Sequence, residues 1–388
     1  MKSAKDKDVR IGIVGIGNMG SGHAKLFLEN KVPGATLAAI CDINPAKMKS
    51  FADVLPYTDS DTMLREAKLD AVVIATPHYG HTTIGIAALK SGLHVLVEKP
   101  ISVHKADAQR LIDTKRTKKQ VFAAMFNQRT DPRYRWLKQH IDSGDFGRIN
   151  RINWIITDWF RSQAYYDHGD WRATWEGEGG GVLLNQCPHQ LDLMQWLFGM
   201  PVAVRAFCQR GRFHDIEVDD DVTAYLEYAN GANGVFITTT GEAPGTNRLE
   251  VAAENGRIVV EGNTISIIRN MVPTSEFCKT TEQPFASPET ITETVTFKNY
   301  GEQHLGIFKN FVATIKGEAE LISPAVEGIN SVELANAMIL SGQQQKTIQL
   351  PLNAAAYEKN LKSLIKNSKF KKTKPAKAAV VADMSSSF

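Results

Sequence analysis

The segment GGGVLLNQCPHQLDL, Gly179 to Leu193, brings an amide, an imidazole and a carboxylate within two helical turns of one another. The Asn185 amide can hold a substrate hydroxyl. The His189 imidazole ordinarily titrates near neutrality, so it can take a hydroxyl proton as the carbon beneath is oxidised. On a helix, Asn185 and His189 would share a face, with Asp192 close to it. Asn185 is expected as the N-cap, which leaves Pro188 in the first turn, where its missing N–H costs little. Gly179–Gly181 let the backbone pass close to a cofactor or a facing domain. Asp192 reads better as a structural partner than as a reacting group.

A second reactive candidate is Lys99, in HVLVEKPIS. Burial beside an apolar strand lowers a lysine pKa toward catalytic use, although a salt-bridged strand-end lysine has the same spacing. ATPHYGH ends another apolar run. In an open parallel sheet, ligands bind outside the carboxyl ends of the strands, so Thr76, Pro77, His81, Glu98, Lys99 and Pro100 are expected to line a cofactor crevice. Asn127, Gln128 and Arg129 follow the last such strand and are expected to face it too. TDWFRSQAYYDHGDWRATWEGEG is dense in aromatic rings and arginine. Sugar rings stack their C–H faces on aromatics and pair their hydroxyls with planar donors, so Arg161, Tyr165, Asp170, Trp171 and Arg172 are candidates for a substrate wall. A surface loop closing on a partner subunit explains the same composition nearly as well. No cluster has metal-ligand spacing, and His168 and His189 are not arranged as in a zinc site.

The cofactor is signalled in GIVGIGNMGSGH, where Gly15, Gly17 and Gly20 form GxGxxG between a strand and a helix. Asn18 and Met19 open that helix, whose N-terminus favours a phosphate. Asp42 stands 22 residues after Gly20 at the end of the next strand, placed to accept from ribose hydroxyls. A carboxylate there repels a 2′-phosphate, and INPAK offers no arginine to offset it, so NAD is favoured over NADP.

These groups need a scaffold. From VRIGIVGIG to VFAAMF, uninterrupted apolar strands alternate with helices, including one over NPAKMKSFADVL, which predicts a parallel sheet covered on both faces. The second half has strands joined by turn signals such as NG and ends in two helices, an α+β domain with antiparallel or mixed pairing. The expected organisation is a dinucleotide-binding Rossmann domain over 7–127, a substrate and oligomerisation domain over 128–351, a C-terminal helix over 352–365 and a disordered basic tail over 366–388. At 388 residues, two domains are the natural reading. The composition, 43% hydrophobic and 22% charged, is that of a globular protein. No secretory h-region or membrane span is visible, and four scattered cysteines suggest reduced thiols, so a cytoplasmic protein is expected. The net charge of +3 contains +5 from six lysines and one aspartate in 366–388, so the remainder sums to −2 and no nucleic-acid footprint is expected.

GxGxxG, ATP…H near residue 76, EKP at 98–100 and GGG…H..D at 179–192 together resemble the Gfo/Idh/MocA family, the glucose–fructose oxidoreductase and inositol dehydrogenase type. The resemblance runs from about Val9 to Pro351. It implies a Rossmann domain and a second domain on a large open sheet, the substrate lying between that sheet and the nicotinamide. It also implies a homo-oligomer, dimer or tetramer, paired through the open sheet. By the same resemblance Lys99 and His189 are the lysine and histidine of the catalytic centre. Inositol-dehydrogenase-like members usually carry aspartate where this chain has Asn185. The expected activity is an NAD-dependent oxidoreductase acting on a ring carbon of a sugar, glycoside or cyclitol. Alternatives are an NAD-dependent glycoside hydrolase working by transient oxidation, and a non-catalytic dinucleotide or sugar sensor.

Overall fold

The computed structural model describes residues 7–115 and 117–372. The first sheet has six strands, β1 (Val9–Val14), β2 (Ala35–Cys41), β3 (Leu55–Tyr57), β4 (Ala71–Ile74), β5 (His94–Val97) and β6 (Phe122–Ala124). All pair in parallel, in the order β3-β2-β1-β4-β5-β6. The order reverses between β1 and β4, which opens a crevice at their carboxyl ends. β1, β4 and β5 are buried nearly throughout because helices cover both faces, and their apolar runs reflect this. The short β3, with a proline at its centre, has no clear sequence signal. The helix expected over NPAKMKSFADVL is a 3₁₀ run, Pro45–Phe51, capped by the Asn44 side chain.

The second sheet has nine strands: β7 (Ile149–Ile156), β8 (Ala203–Arg210), β9 (Asp219–Glu227), β10 (Asn233–Thr239), β11 (Asn247–Ala253), β12 (Gly256–Glu261), β13 (Thr264–Asn270), β14 (Thr290–Thr296) and β15 (Ile348–Gln349). Their order is β14-β13-β12-β11-β7-β10-β9-β8-β15. β7 and β10 run parallel and every other pair is antiparallel, the mixed sheet expected. β7 alternates, with Ile152, Trp154 and Ile156 buried on one face. That face carries the helices Pro188–Phe198 and Gly328–Gln344, while the other stays open, with Phe207 61% and Tyr225 42% exposed.

Two helices depart from the expected division. Gln303–Lys316 buries Ile307, Phe308, Phe311 and Val312 in the core of the first sheet, although it follows the second in sequence. Gly328–Gln344 joins both cores, with Val332 on the Rossmann side and Leu334, Ala335 and Met338 on the other. Lys105 fastens this junction through Glu333 at 2.8 Å and the Leu352 carbonyl at 3.1 Å. The C-terminal helix spans Ala354–Asn367. The tail expected to be disordered is held against the second domain over its described part: Ser368 Oγ bonds Glu217, and Lys372 Nζ donates to the Gly169 and Arg172 carbonyls. The rest of that expectation, 373–388, lies outside the described residues. Among the described residues no helix is long and apolar enough to cross a membrane.

Candidate active site at the strand ends

Gly15 turns the chain after β1 with φ +93°, and a Cβ there would strike the Ala75 backbone. A Cβ on Gly20 would overlap the Gly15 carbonyl oxygen, so only glycine lets the helix Asn18–Leu28 pack this close. Gly17 differs: a Cβ there would meet nothing within 4 Å. The protein needs no glycine at Gly17 for its own packing. What glycine provides is open space at a helix N-terminus that lacks a side-chain cap, beside Asn18 and Met19. This cradle fits a pyrophosphate.

Asp42 extends the seat at the end of β2. Its Oδ2 accepts from Ile16 N at 2.8 Å and its Oδ1 from Asn44 N at 2.9 Å, so the glycine loop itself orients the carboxylate. Lys47, the last residue of INPAK, places its Nζ 3.4 Å from Oδ2, so a lysine rather than an arginine stands beside the carboxylate. At the end of β4, Thr76 Oγ1 is buried without a partner, next to exposed Pro77. Asn127 Oδ1 is likewise unpartnered, while its Nδ2 donates to Gln303 at 2.9 Å. Buried polar atoms are rarely left unpaired, and these two, both following strand ends of the first sheet, are free to bond a cofactor group. The residues present therefore fit a dinucleotide.

Three expected crevice residues have other work. His81 places one ring nitrogen 2.7 Å from the Pro100 carbonyl and the other 2.8 Å from the Thr76 carbonyl. It clasps the two strand-end loops together and has no nitrogen left for a ligand. Glu98 accepts from His23 at 2.8 Å and from Lys99 N at 3.1 Å. Burial alone would raise its pKa, but His23, with His304 and Lys99 behind it, holds the carboxyl down at about 2. Arg129 is buried, forked onto Asp192 at 2.7 and 2.6 Å and bonded to Glu327 at 2.5 Å. Asp192 is thus the structural partner expected, and Arg129 does not face the crevice.

Lys99, at the end of β5, donates from Nζ to the Asn185 carbonyl at 2.8 Å. Desolvation lowers its pKa against the pull of Glu98, and Arg161 and Arg172 lower it further. His189 stands in the first turn of the helix Pro188–Phe198 with both ring nitrogens buried and unpartnered. Its pKa lies well below the ordinary value through burial, then through the charges of Lys99 and His304, so it is held neutral.

Asn185 is not the helix N-cap. The residues before the helix form successive turns, with Asn185 N on Gly181 O at 3.0 Å and Cys187 N on Val182 O at 2.9 Å. The turns carry the chain to Cys187, and the helix begins at Pro188, whose missing N–H costs nothing in the first turn. Asn185 nevertheless reaches the site, through its carbonyl on Lys99. Its side-chain amide donates to Glu178, a carboxylate that sequence reading passed over. Glu178 is buried, also accepts from Ala173 N at 2.8 Å, and is pushed up to about 7 by desolvation despite Arg172 and these bonds.

The glycine run passes against both domains. A Cβ on Gly179 would collide with Val103, from the Rossmann side, and one on Gly181 with the Asp219 carbonyl of β9. Asp219 receives Gly181 N at 2.9 Å and Leu183 N at 3.0 Å, and burial raises its pKa to about 6. The only signal for Glu178 and Asp219 was their position, one directly before the glycines and one opening an acidic triplet at a strand start.

The expected substrate wall assembles around Tyr165. Arg161 lies 5.4 Å and Arg172 4.8 Å from its ring centroid, and Arg172 also covers Trp171 at 4.3 Å. Trp171 packs on His78 across the domain boundary, and Tyr165 OH accepts from Gln186 at 3.1 Å, beside Asn185. Asp170 is the exception: it is exposed, and its charge bears on Lys372.

Comparison with known proteins follows the same two-part division. Residues 9–126 match a profile described as oxidoreductase family, NAD-binding Rossmann fold, and 134–259 match the GFO/IDH/MocA C-terminal domain. Myo-inositol 2-dehydrogenase of Thermotoga maritima is 25% identical over 263 residues, 65% of this chain and 75% of that protein. Inositol 2-dehydrogenase of Rhizobium meliloti is 25% identical over 349 residues, 88% and 99% of the two chains. Among solved structures, the WlbA dehydrogenase of Chromobactrium violaceum, in complex with NADH and UDP-GlcNAcA, superposes with a TM-score of 0.77 at 28% identity, covering 90% of this chain and 97% of that one.

Proposed function

This chain belongs to the GFO/IDH/MocA family of oxidoreductases, and from that premise we propose that it is an NAD-dependent dehydrogenase of a sugar, glycoside or cyclitol, with Lys99, His189 and Asn185 at its reacting centre. The observation that carries this reading is His189, held neutral in the crevice with two unpartnered nitrogens beside Lys99. The dehydrogenase names of the relatives, and the NADH complex of WlbA, support the same class.

NAD, when bound, supplies the hydride acceptor at nicotinamide C4. The protein handles the proton and the oxygen. A neutral imidazole can accept the hydroxyl proton as the carbon becomes a carbonyl, and its low basicity favours rapid release afterwards. The Lys99 ammonium, anchored by the Asn185 carbonyl, polarises the same oxygen and stabilises negative charge growing on it. Because Asn185 meets Lys99 through its backbone, its side chain remains tied to Glu178 and serves chiefly to fix the turn. Asparagine there, in place of the aspartate usual in inositol dehydrogenases, therefore still allows proton transfer through His189.

The test is turnover in His189→Ala and Lys99→Met. Each is expected to lose about 10²- to 10⁴-fold in kcat with NADH affinity unchanged. Unaltered turnover in both variants would remove these residues from the centre. The open sheet face, with Phe207 and Tyr225 exposed on adjacent strands, supports the further reading that copies pair through it.

A further inference from the structure

Two guanidinium groups stand in the crevice with no carboxylate at ion-pair distance among the described residues. Arg161 donates from Nη1 only to the Phe160 carbonyl, at 2.9 Å. Arg172 keeps its Nε buried with no partner. Among the described residues, no ion pair within 4.0 Å includes Lys99, Arg161 or Arg172. Three other half-buried arginines find acids, Arg133 with Asp131 at 2.6 Å, Arg151 with Glu250 at 2.8 Å and Arg269 with Asp145 at 3.0 Å, whereas Arg205, away on β8, is also left without one. Two carboxylates act on them only from beyond ion-pair distance, Asp158 on Arg161 and Glu178 on Arg172, and Glu178 is itself bonded to Asn185 and Ala173 N.

The arrangement is also directional. Both guanidinium groups sit over the Tyr165 ring, at 5.4 and 4.8 Å from its centroid. A guanidinium stacked on an aromatic face keeps its in-plane N–H edge for a planar or tetrahedral anion. Both charges reach Lys99, since each contributes to lowering its pKa. Glu98, Glu178 and Asp158 offset these three cations only in part and from beyond ion-pair distance, so an anionic ligand would find net attraction there.

We propose that the substrate supplies it: a sugar or cyclitol bearing a carboxylate or a phosphate, gripped by Arg161 and Arg172 while its reacting hydroxyl lies at Lys99 and His189. This deepens the dehydrogenase reading and rests on it. The cofactor's own phosphates do not account for the pair, because their seat is the Gly17 helix end on the other sheet. Arg161 follows β7, and Arg172 precedes the glycine run.

Equilibrium titration of the NADH-loaded full-length protein tests it, with uronates, aldonates and sugar phosphates each set against its neutral parent sugar. At least one anionic probe is expected to bind about tenfold or more tightly than its parent. That margin should shrink at high salt and vanish in Arg161→Gln and Arg172→Gln, with NADH affinity intact. A preference for uronates and aldonates assigns a carboxylate, and one for sugar phosphates a phosphate. The inference is overturned if no anionic probe outbinds its parent, or if the arginine variants weaken NADH binding instead. NAD reduction in parallel wells keeps the two readings apart. Turnover of neutral sugars alone would sink this inference and leave the dehydrogenase, whereas tight anion binding without reduction would do the reverse.

Discussion

At the scale of residues, the site depends on which groups are left without partners and which are not. His189 and Thr76 have unsatisfied buried atoms, while His81, Glu98 and Arg129, equally polar, are fully engaged by neighbours. Sequence spacing could gather these residues but could not sort them, because partnership is settled largely by contacts distant in sequence, up to 198 positions away for Arg129 and Glu327. Glu178 gives a prediction with a definite sign. In the unfolded chain a glutamic acid loses its proton near 4.5, whereas in the fold Glu178 keeps it to about 7. The fold therefore bears no cost from this group below about pH 4.5. The cost grows as the pH rises and reaches on the order of 3 kcal/mol above 7. Glu178→Gln removes that dependence, while Asp219, raised in the same direction, remains in both proteins. Between pH 5 and 8, wild type should lose melting temperature relative to Glu178→Gln. Parallel pH profiles for the two proteins would refute the assignment.

At the scale of elements, the glycines divide by what they make room for. Gly20 allows a helix to touch a turn, and Gly17 leaves space that no atom of the described residues claims. Gly17→Ala is accordingly expected to melt within about 2 °C of wild type while its NADH Kd rises about tenfold or more. Gly20→Ala should lose both affinity and stability, since the helix must move off Gly15. Equal damage to stability from the two changes would show that Gly17 has a packing role. The β-α-β pattern and its fingerprint were legible in the sequence because each signal is local: an apolar strand, a glycine turn, an acid at the next strand end. The helix begins two residues later than expected, with Cys187 rather than Asn185 as its N-cap, because an asparagine and a proline each mark helix beginnings, and the turns from Gly181 to Cys187 decide between them.

At the scale of the whole molecule, the chain does not divide where its composition does. Gln303–Lys316 returns to the first sheet, and Gly328–Gln344 fills both cores, so the crevice between the sheets is framed by elements from the far end of the sequence. Such returns leave little trace in hydrophobic periodicity, which reports that a face is buried but not against what. The open sheet was legible from strand alternation, and its exposed aromatics predict self-association. Light scattering should give a mass of two or more chains, and a monomer at tens of micromolar would contradict it. The central claim, hydride transfer to or from a ring carbon, is tested most directly by incubating the protein and NAD with sugars, sugar acids, cyclitols and aryl-glycosides. NADH absorbance and aglycone release would be read in the same wells. The account predicts NADH accumulating with the aglycone intact. Aglycone release without net NADH, or silence in both channels with NAD demonstrably bound, would contradict it.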